Sequence, residues 1–578
     1  MYLLGLGTAP FLDPPEGFHA AIAQGLRASG DWTTLRLDGV RYFDKPPLLY
    51  WLLGLSFGMF GPTEAAARVW PALAAIGTAG VTGWIGTMLG GARVGLLAAL
   101  LTAANIGMFV LGREVKPDLL FIFFIVLAFA GFVVAYRGGG RWGLALAYAS
   151  LGVAALAKDF LGAVAPLGVV VAFLWITRER PYAAWAPWWG VLALIAIALP
   201  WYAAVELHSR GFLWYTVVDN HVLNFARQRV FPDEDVPLGS LQFLGVTLAV
   251  FLPWVLAAPW AIARALRPPW PNAEARLWGL LALWVVLVLG FFTLSPFKLP
   301  HYGVPAFPAL ALLLARVWDE SIEALPGSLP PRTLLAPITV LFALVAAGLV
   351  LGSQGHLSMP AGALESVDVS ARNLAARGQV AAASPRPFYA PVMLKSGLVF
   401  AVAAVAMAVA TARRLPAAGI GVALAAMIAF LPMAAEGMAI FARSRSARPI
   451  VAELSRRLGP ADVVVHEGPL EGSASLLLTV PRRVHIVDGL HSNLAFGATF
   501  PDARDVFWTP SRLREAWMAP GRIFLVSTVE PSRSLARTLQ PAHLLVTGGG
   551  RWLYVNHVGG PRDGPPHPQT LGGVPAKP

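Results

Sequence analysis

Apolar runs about twenty residues long recur through most of this chain, and that length leaves few folds open to it. A helix rising about 1.5 Å per residue needs roughly twenty residues to cross the ~30 Å hydrocarbon core of a bilayer. Such runs fall near 66–90, 92–112, 117–136, 142–157, 160–177, 187–205, 241–263, 277–294, 300–317, 333–353, 393–412 and 416–441, which predicts about twelve spans. Composition agrees. The chain is 56% hydrophobic and only 13% charged, with a mean hydropathy of +0.62, whereas a soluble domain carries roughly 25% charged residues. The fold class expected is mainly α: a polytopic transmembrane helical bundle with a small C-terminal α/β domain. Leu48–Phe60 is apolar but short and follows Lys-Pro-Pro, so it is expected to lie at the interface.

A net charge of +12 and a pI near 10.2 raise the question of nucleic acid. The cations answer it. They sit in short loops, at Arg93, at Arg137 and Arg141, at Arg178 and Arg180, at Arg264, Arg267 and Arg276, at Arg316 and Arg332, and at Arg413 and Arg414. Basic short loops mark the cytoplasmic side, so the chain is expected to run N-out and C-out in a bacterial inner membrane, with no nucleic-acid partner. Cysteine is absent, which excludes disulfides, thiolate nucleophiles and sulfur-ligated metal. The opening stretch MYLLGLGTAPFL is short and has no basic flank, so no signal peptide is expected.

Four regions follow: 1–65, a first outer loop with juxtamembrane helices; 66–441, the transmembrane helical domain; 442–560, a small extracytoplasmic domain; and 561–578, a Pro/Gly-rich tail expected to be disordered. In the third region ARPIVAELSRRLG reads as an amphipathic helix, and DVVVHE, RRVHIVD, RIFLVST and AHLLVTG read as strands.

Charged groups close to membrane spans are costly and tend to mark function. Here the unusual ones fall on the outer side: Asp13 and Glu16; Asp44 and Lys45; Arg113, Glu114, Lys116 and Asp118; Lys158 and Asp159; His221 and Arg227; and Lys298. Carboxylates in that setting suit a general base, and cations suit a phosphate leaving group. Asp44 and His221 offer oxygen and nitrogen ligands for a divalent cation. Blander roles compete at each position: a solvated turn at Asp44 and Lys45, a hydrogen-bonding His221, an ion-pair cluster at Arg113, Glu114 and Lys116, and a snorkelling Lys158.

The run ASGDWTTLRLDGVRYFDKPPLLYWL, within residues 12–61, resembles the first outer loop of the aminoarabinose transferase (ArnT) and dolichyl-phosphate-mannose protein mannosyltransferase superfamily. The likeness continues through VKPDLLFIFFIVLAFAGF, LAKDFLG, GFLWYTVVDNHVLNFAR and SPFKLPHYGVPAFPAL. That resemblance implies a GT-C type fold and an inverting glycosyltransferase, with lipid A modification among the activities in its range. The donor implied is an undecaprenyl- or other polyprenyl-phosphate sugar, the acceptor a lipid, glycan or protein, and no nucleotide cofactor is needed. It assigns Lys45, Arg227 and Lys298 to the donor phosphate, and Asp44 and His221 to a divalent metal. Asp118, Arg113, Lys158 and Tyr302 fall to the substrate cavity.

Two departures qualify the likeness. The superfamily's loop reads Asp-Glu-Gly, the Asp being the base, whereas this chain has Pro15-Glu16-Gly17 with Asp13 upstream. Either Asp13 or Glu16 takes over as catalytic base, or activity is altered or lost, leaving a lipid-linked sugar transporter or scaffold. The superfamily also begins with a further helix, for which a start codon assigned too late is the expected explanation.

Overall fold

The computed structural model describes residues 1–232, 235–357, 363–379, 381–480, 482–490 and 492–558; the tail expected to be disordered lies outside them. The first layer is juxtamembrane. Helix α1 (Pro15–Ser29) starts with proline at its first position, carries Glu16 in its first turn and ends on left-handed Gly30, the placements that helix geometry and dipole favour. Strands β1 (Arg36–Leu37) and β2 (Val40–Arg41) form a hairpin around Asp38-Gly39, both at positive φ (50° and 86°), as a two-residue turn of the mirror-image type requires. Helix α2 (Leu48–Phe60) follows with the limits expected.

Among the described residues seven helices are long and apolar enough to cross a membrane, or eight if the bent pair Ser240–Val250 and Trp254–Leu266 is one span. The sequence predicts more because two of the seven double back. Glu64–Ala103 breaks at Gly91 (φ 83°), and its halves pack so closely that a Cβ on Gly83 would lie 2.9 Å from the Cβ of Ala99. Asp118–Ala157 turns at Gly138 and Gly140, both at positive φ. The legs of these hairpins are the runs read as separate spans. Leu161–Thr177 and Phe307–Ile322 are shorter. The chain is thus a multi-pass membrane protein, and the two hairpins, the bent pair and the shorter helices account for the apolar runs beyond the seven long helices.

The C-terminal unit is a six-stranded sheet in the order β5-β4-β3-β6-β8-β7, formed by β3 (Val463–Glu467), β4 (Val484–Val487), β5 (Phe507–Trp508), β6 (Ile523–Ser527), β7 (His543–Gly548) and β8 (Arg551–Val555). The first four run parallel, and β8 pairs antiparallel with both β6 and β7. Four strands match the sequence reading; Phe507–Trp508 and Arg551–Val555 are additional.

This sheet grips the juxtamembrane layer. Ser475 donates from N (3.0 Å) and Oγ (2.6 Å) to Asp13, the Val484 amide donates to Asp38 at 3.1 Å, and Asp502 pairs with Arg41 at 2.9 Å and with Arg36. Gly497 has to be glycine here, since a Cβ would come within 1.8 Å of the Arg41 carbonyl oxygen.

Candidate active site

Five segments far apart in sequence supply one group of charges. The start of the helix at Asp118 presents its carboxylate to Lys158, whose Nζ donates at 2.6 Å, and to His301 Nε2 at 3.6 Å. Lys158 also lies 4.8 Å from the centroid of the Tyr302 ring. Asp159 faces His221 Nε2 at 3.7 Å. Burial alone would raise the Asp159 carboxyl, but His221, Lys158 and Lys45 outweigh it and hold that carboxyl below the usual carboxylate range. Asp44 accepts the Tyr215 hydroxyl. Lys45 donates to the Asp44 carbonyl oxygen at 3.2 Å and forms no ion pair among the described residues. Two of these, Asp159 and His301, carry no assigned role in the resemblance; LAKDF and PHY hold them beside residues that do.

The remaining expected residues are occupied differently. Glu16 is 2% exposed, and Arg68 grips it through Nε (2.7 Å) and Nη2 (2.5 Å). The amides of Leu12 (2.9 Å) and Val115 (3.2 Å) complete its shell. Asp13, also 2% exposed, accepts from Ser475 and from the Ala447 amide at 3.2 Å. Every carboxylate oxygen of both residues is thus taken by a structural partner, and neither is presented to the Asp118 group. The expectation that one of them is the base gains no support from these contacts.

Arg113 donates to the carbonyls of Met1 (3.3 Å), Tyr2 (3.2 Å), Leu4 (2.8 Å) and Gly5 (3.1 Å), pinning the first residues. Lys298 spends its three donors on Ser240 Oγ (2.9 Å) and the carbonyls of Thr293 (2.9 Å) and Ser295 (2.7 Å). It therefore ties the helix corner at 294–299 to Ser240. Arg227 is exposed and unpaired among the described residues.

For a metal the fit is poor. The resolved contacts of Asp44 and His221 run to Tyr215 and to Asp159 and the Thr216 carbonyl oxygen (2.6 Å). No group of three His, Asp or Glu suited to a metal occurs among the described residues, and a catalytic cation usually takes three protein ligands.

The C-terminal unit reaches this site. Phe496 stacks on Tyr215 at 4.5 Å and also meets Phe43 at 5.1 Å. Sequence alone offered no signal for that insertion.

Against known proteins, the profile of the dolichyl-phosphate-mannose-protein mannosyltransferase family matches residues 21–216. The undecaprenyl phosphate-alpha-4-amino-4-deoxy-L-arabinose arabinosyl transferase 2 of Sodalis glossinidius is 32% identical over 322 residues, covering 54% of this chain and 57% of that protein. Arabinosyl transferase 1 of the same organism is 31% identical over 372 residues, 62% of this chain and 63% of that one. The chain thus spans about six-tenths of the length of these curated relatives. The crystal structure of ArnT from Cupriavidus metallidurans bound to undecaprenyl phosphate superposes with a TM-score of 0.78 at 23% identity over 96% of each chain. The fold is that of ArnT, and the likeness to the ArnT and protein mannosyltransferase-like GT-C glycosyltransferases, first legible in residues 12–61, holds in sequence and in architecture.

Proposed function

We propose that this chain is a glycosyltransferase that moves a sugar from a polyprenyl-phosphate donor to an acceptor at the outer face of a bacterial inner membrane. The observation that carries the proposal is Lys45. It is a cation without a carboxylate partner among the described residues, and its field reaches Asp159. An unsatisfied ammonium at such a place suits a phosphate. Arg227 is proposed as a second phosphate cation. Lys298 is proposed to act through the corner it braces. Asp118, Lys158 and Tyr302 would line the sugar's side of the cavity.

The donor class follows the relatives, whose names specify an undecaprenyl-phosphate aminoarabinose, and a lipid is the acceptor proposed. Basic short loops support a cytoplasmic position for that side, hence an extracytoplasmic site and C-terminal unit. In the transfer the acceptor oxygen forms the bond to the anomeric carbon. The anomeric C–O bond breaks, and polyprenyl phosphate leaves with the electron pair. Lys45 stabilises the charge growing on that phosphate.

The test is release of polyprenyl phosphate from a polyprenyl-phosphate sugar by the purified full chain. Release is expected from the wild type and is expected to vanish in Lys45→Ala. Undiminished release by a folded Lys45→Ala protein removes the phosphate role. A wild type that releases nothing returns the chain to the transporter or scaffold reading that Pro15 motivates.

A further inference from the structure

With Asp13 and Glu16 sealed into structural contacts, the α1 side of the site has one other group able to take a proton. His19 stands one turn beyond Glu16 on the same helix. Its Nδ1 meets the Tyr50 hydroxyl of α2 at 2.9 Å. Tyr50 in turn is hydrogen-bonded to Tyr42, and both tyrosines lie in the field of Asp44. The other ring nitrogen, Nε2, makes no hydrogen bond among the described residues. Nor is it one of the buried polar atoms left without a partner, and the residue keeps 8% of its surface. Nε2 therefore keeps some accessible surface of its own.

The charges that act on His19 are those of the candidate site: Lys45 before α2, and Lys116 and Asp118 at the start of the next long helix. From the C-terminal unit, Arg551 acts on Asp13, just before the helix.

We propose that His19, through Nε2, is the proton acceptor for the incoming acceptor hydroxyl, in place of a carboxylate at position 15. This rests on the glycosyltransferase reading above. The step balances. The acceptor O–H bond breaks, its proton goes to Nε2, and its oxygen bonds to the anomeric carbon. Polyprenyl phosphate departs with the electrons of the old C–O bond, and the imidazolium loses its proton to solvent. Tyr50 fixes the ring so that Nε2, rather than Nδ1, faces the acceptor.

Electrostatics give the imidazole a reason to act only when donor is bound. Burial, Lys45 and Lys116 push its pKa down to about 3, with Asp118 opposing, so the empty site holds a neutral, weakly basic ring. An anionic phosphodiester on Lys45 cancels one of those cations and adds a negative charge, which raises the pKa of the ring toward the operating pH. The acidic limb of the kcat profile, which reports the donor-bound enzyme, should thus lie at higher pH than the limb of kcat/KM.

The experiment uses the full chain in nanodiscs with a polyprenyl-phosphate sugar and a lipid acceptor. His19→Asn keeps a group for Tyr50 and removes Nε2. We expect kcat to fall by about 10²–10⁴, the usual yield of a general base. Donor KM should stay within about threefold, and the acidic limb should disappear. Donor-phosphate binding equal to wild type reports the fold, and His19→Asp, which restores a base, should recover part of the rate. A wild type that transfers sugar while His19→Asn keeps its rate and its acidic limb overturns the inference and leaves the glycosyltransferase reading intact. So does a limb lost in His301→Gln and retained in His19→Asn. A wild type without transfer removes the glycosyltransferase reading itself.

Discussion

Tyr215 lies flat against Phe496, with ring centroids 4.5 Å apart and planes within 6°, while its hydroxyl donates to Asp44. A residue of the C-terminal sheet domain thereby sets the position of a carboxylate next to Lys45. Losing one aromatic pair forfeits ~1 kcal/mol, which applied to the site corresponds to roughly a fivefold fall in kcat/KM. Phe496→Ala is expected to show that fall, and Phe496→Leu, which keeps most of the volume, a smaller one. Steady-state transfer assays on both variants check it; a Phe496→Ala enzyme with unaltered kcat/KM would separate the C-terminal unit from the site.

The Glu16–Arg68 pair predicts a different signature. Removing one member of a buried ion pair strands the other and costs about 3–5 kcal/mol. Glu16→Gln should therefore lower the melting temperature by several degrees, yet leave kcat per folded molecule within about threefold of wild type. Differential scanning fluorimetry combined with kinetics on the same preparation reads both quantities. A stable Glu16→Gln protein with a thousandfold lower kcat would return the base to this residue.

The membrane bundle was legible from hydropathy because bilayer thickness fixes a length that composition reveals directly. Its hairpin turns fall where the runs divide, Gly91 between 66–90 and 92–112 and Gly138 and Gly140 between 117–136 and 142–157, but the close packing of the legs left no mark in hydropathy. The site divided in the same way. Asp118 and Lys158 find each other across 40 residues, and Lys45 has no carboxylate partner among the described residues, so charge near spans did mark where these groups gather. Arg113 and Lys298 gave the same signal, but their partners are backbone carbonyls of the first residues and of a helix corner, which no side-chain pattern records. The contacts of Asp13 and Glu16 were hidden for a related reason: Ser475 and Arg68 come from distant segments. His19 escaped notice because one imidazole on a juxtamembrane helix is usually a packed, hydrogen-bonded side chain.

Asp118 separates binding from turnover. Its carboxylate holds Lys158 and faces His301, and it also places a negative charge in a site proposed to receive a phosphate. Asp118→Asn removes that repulsion, worth ~1 kcal/mol between screened charges several ångströms apart. Polyprenyl phosphate should then bind roughly three- to tenfold more tightly while kcat falls, since Lys158 is no longer held. Quenching of intrinsic fluorescence by polyprenyl phosphate, set beside turnover, distinguishes this from simple unfolding, which would weaken both.

His466 makes the C-terminal domain sensitive to acid. It is fully buried in the central strand β3, its Nδ1 lies 3.0 Å from the Gly468 carbonyl oxygen, and its Nε2 has no partner among the described residues. Burial lowers its pKa to about 4, against ~6.5 in an unfolded chain. The neutral ring's contribution is complete above pH ~6.5. Below that the unfolded chain takes up a proton first, and stability is lost progressively as pH falls to about 4, amounting to ~3 kcal/mol. His466→Asn retains an N–H for Gly468 but does not titrate. The drop in melting temperature between pH 7.5 and pH 4.5 should therefore be smaller in His466→Asn than in wild type. Equal drops in the two proteins would assign the acid sensitivity to other groups.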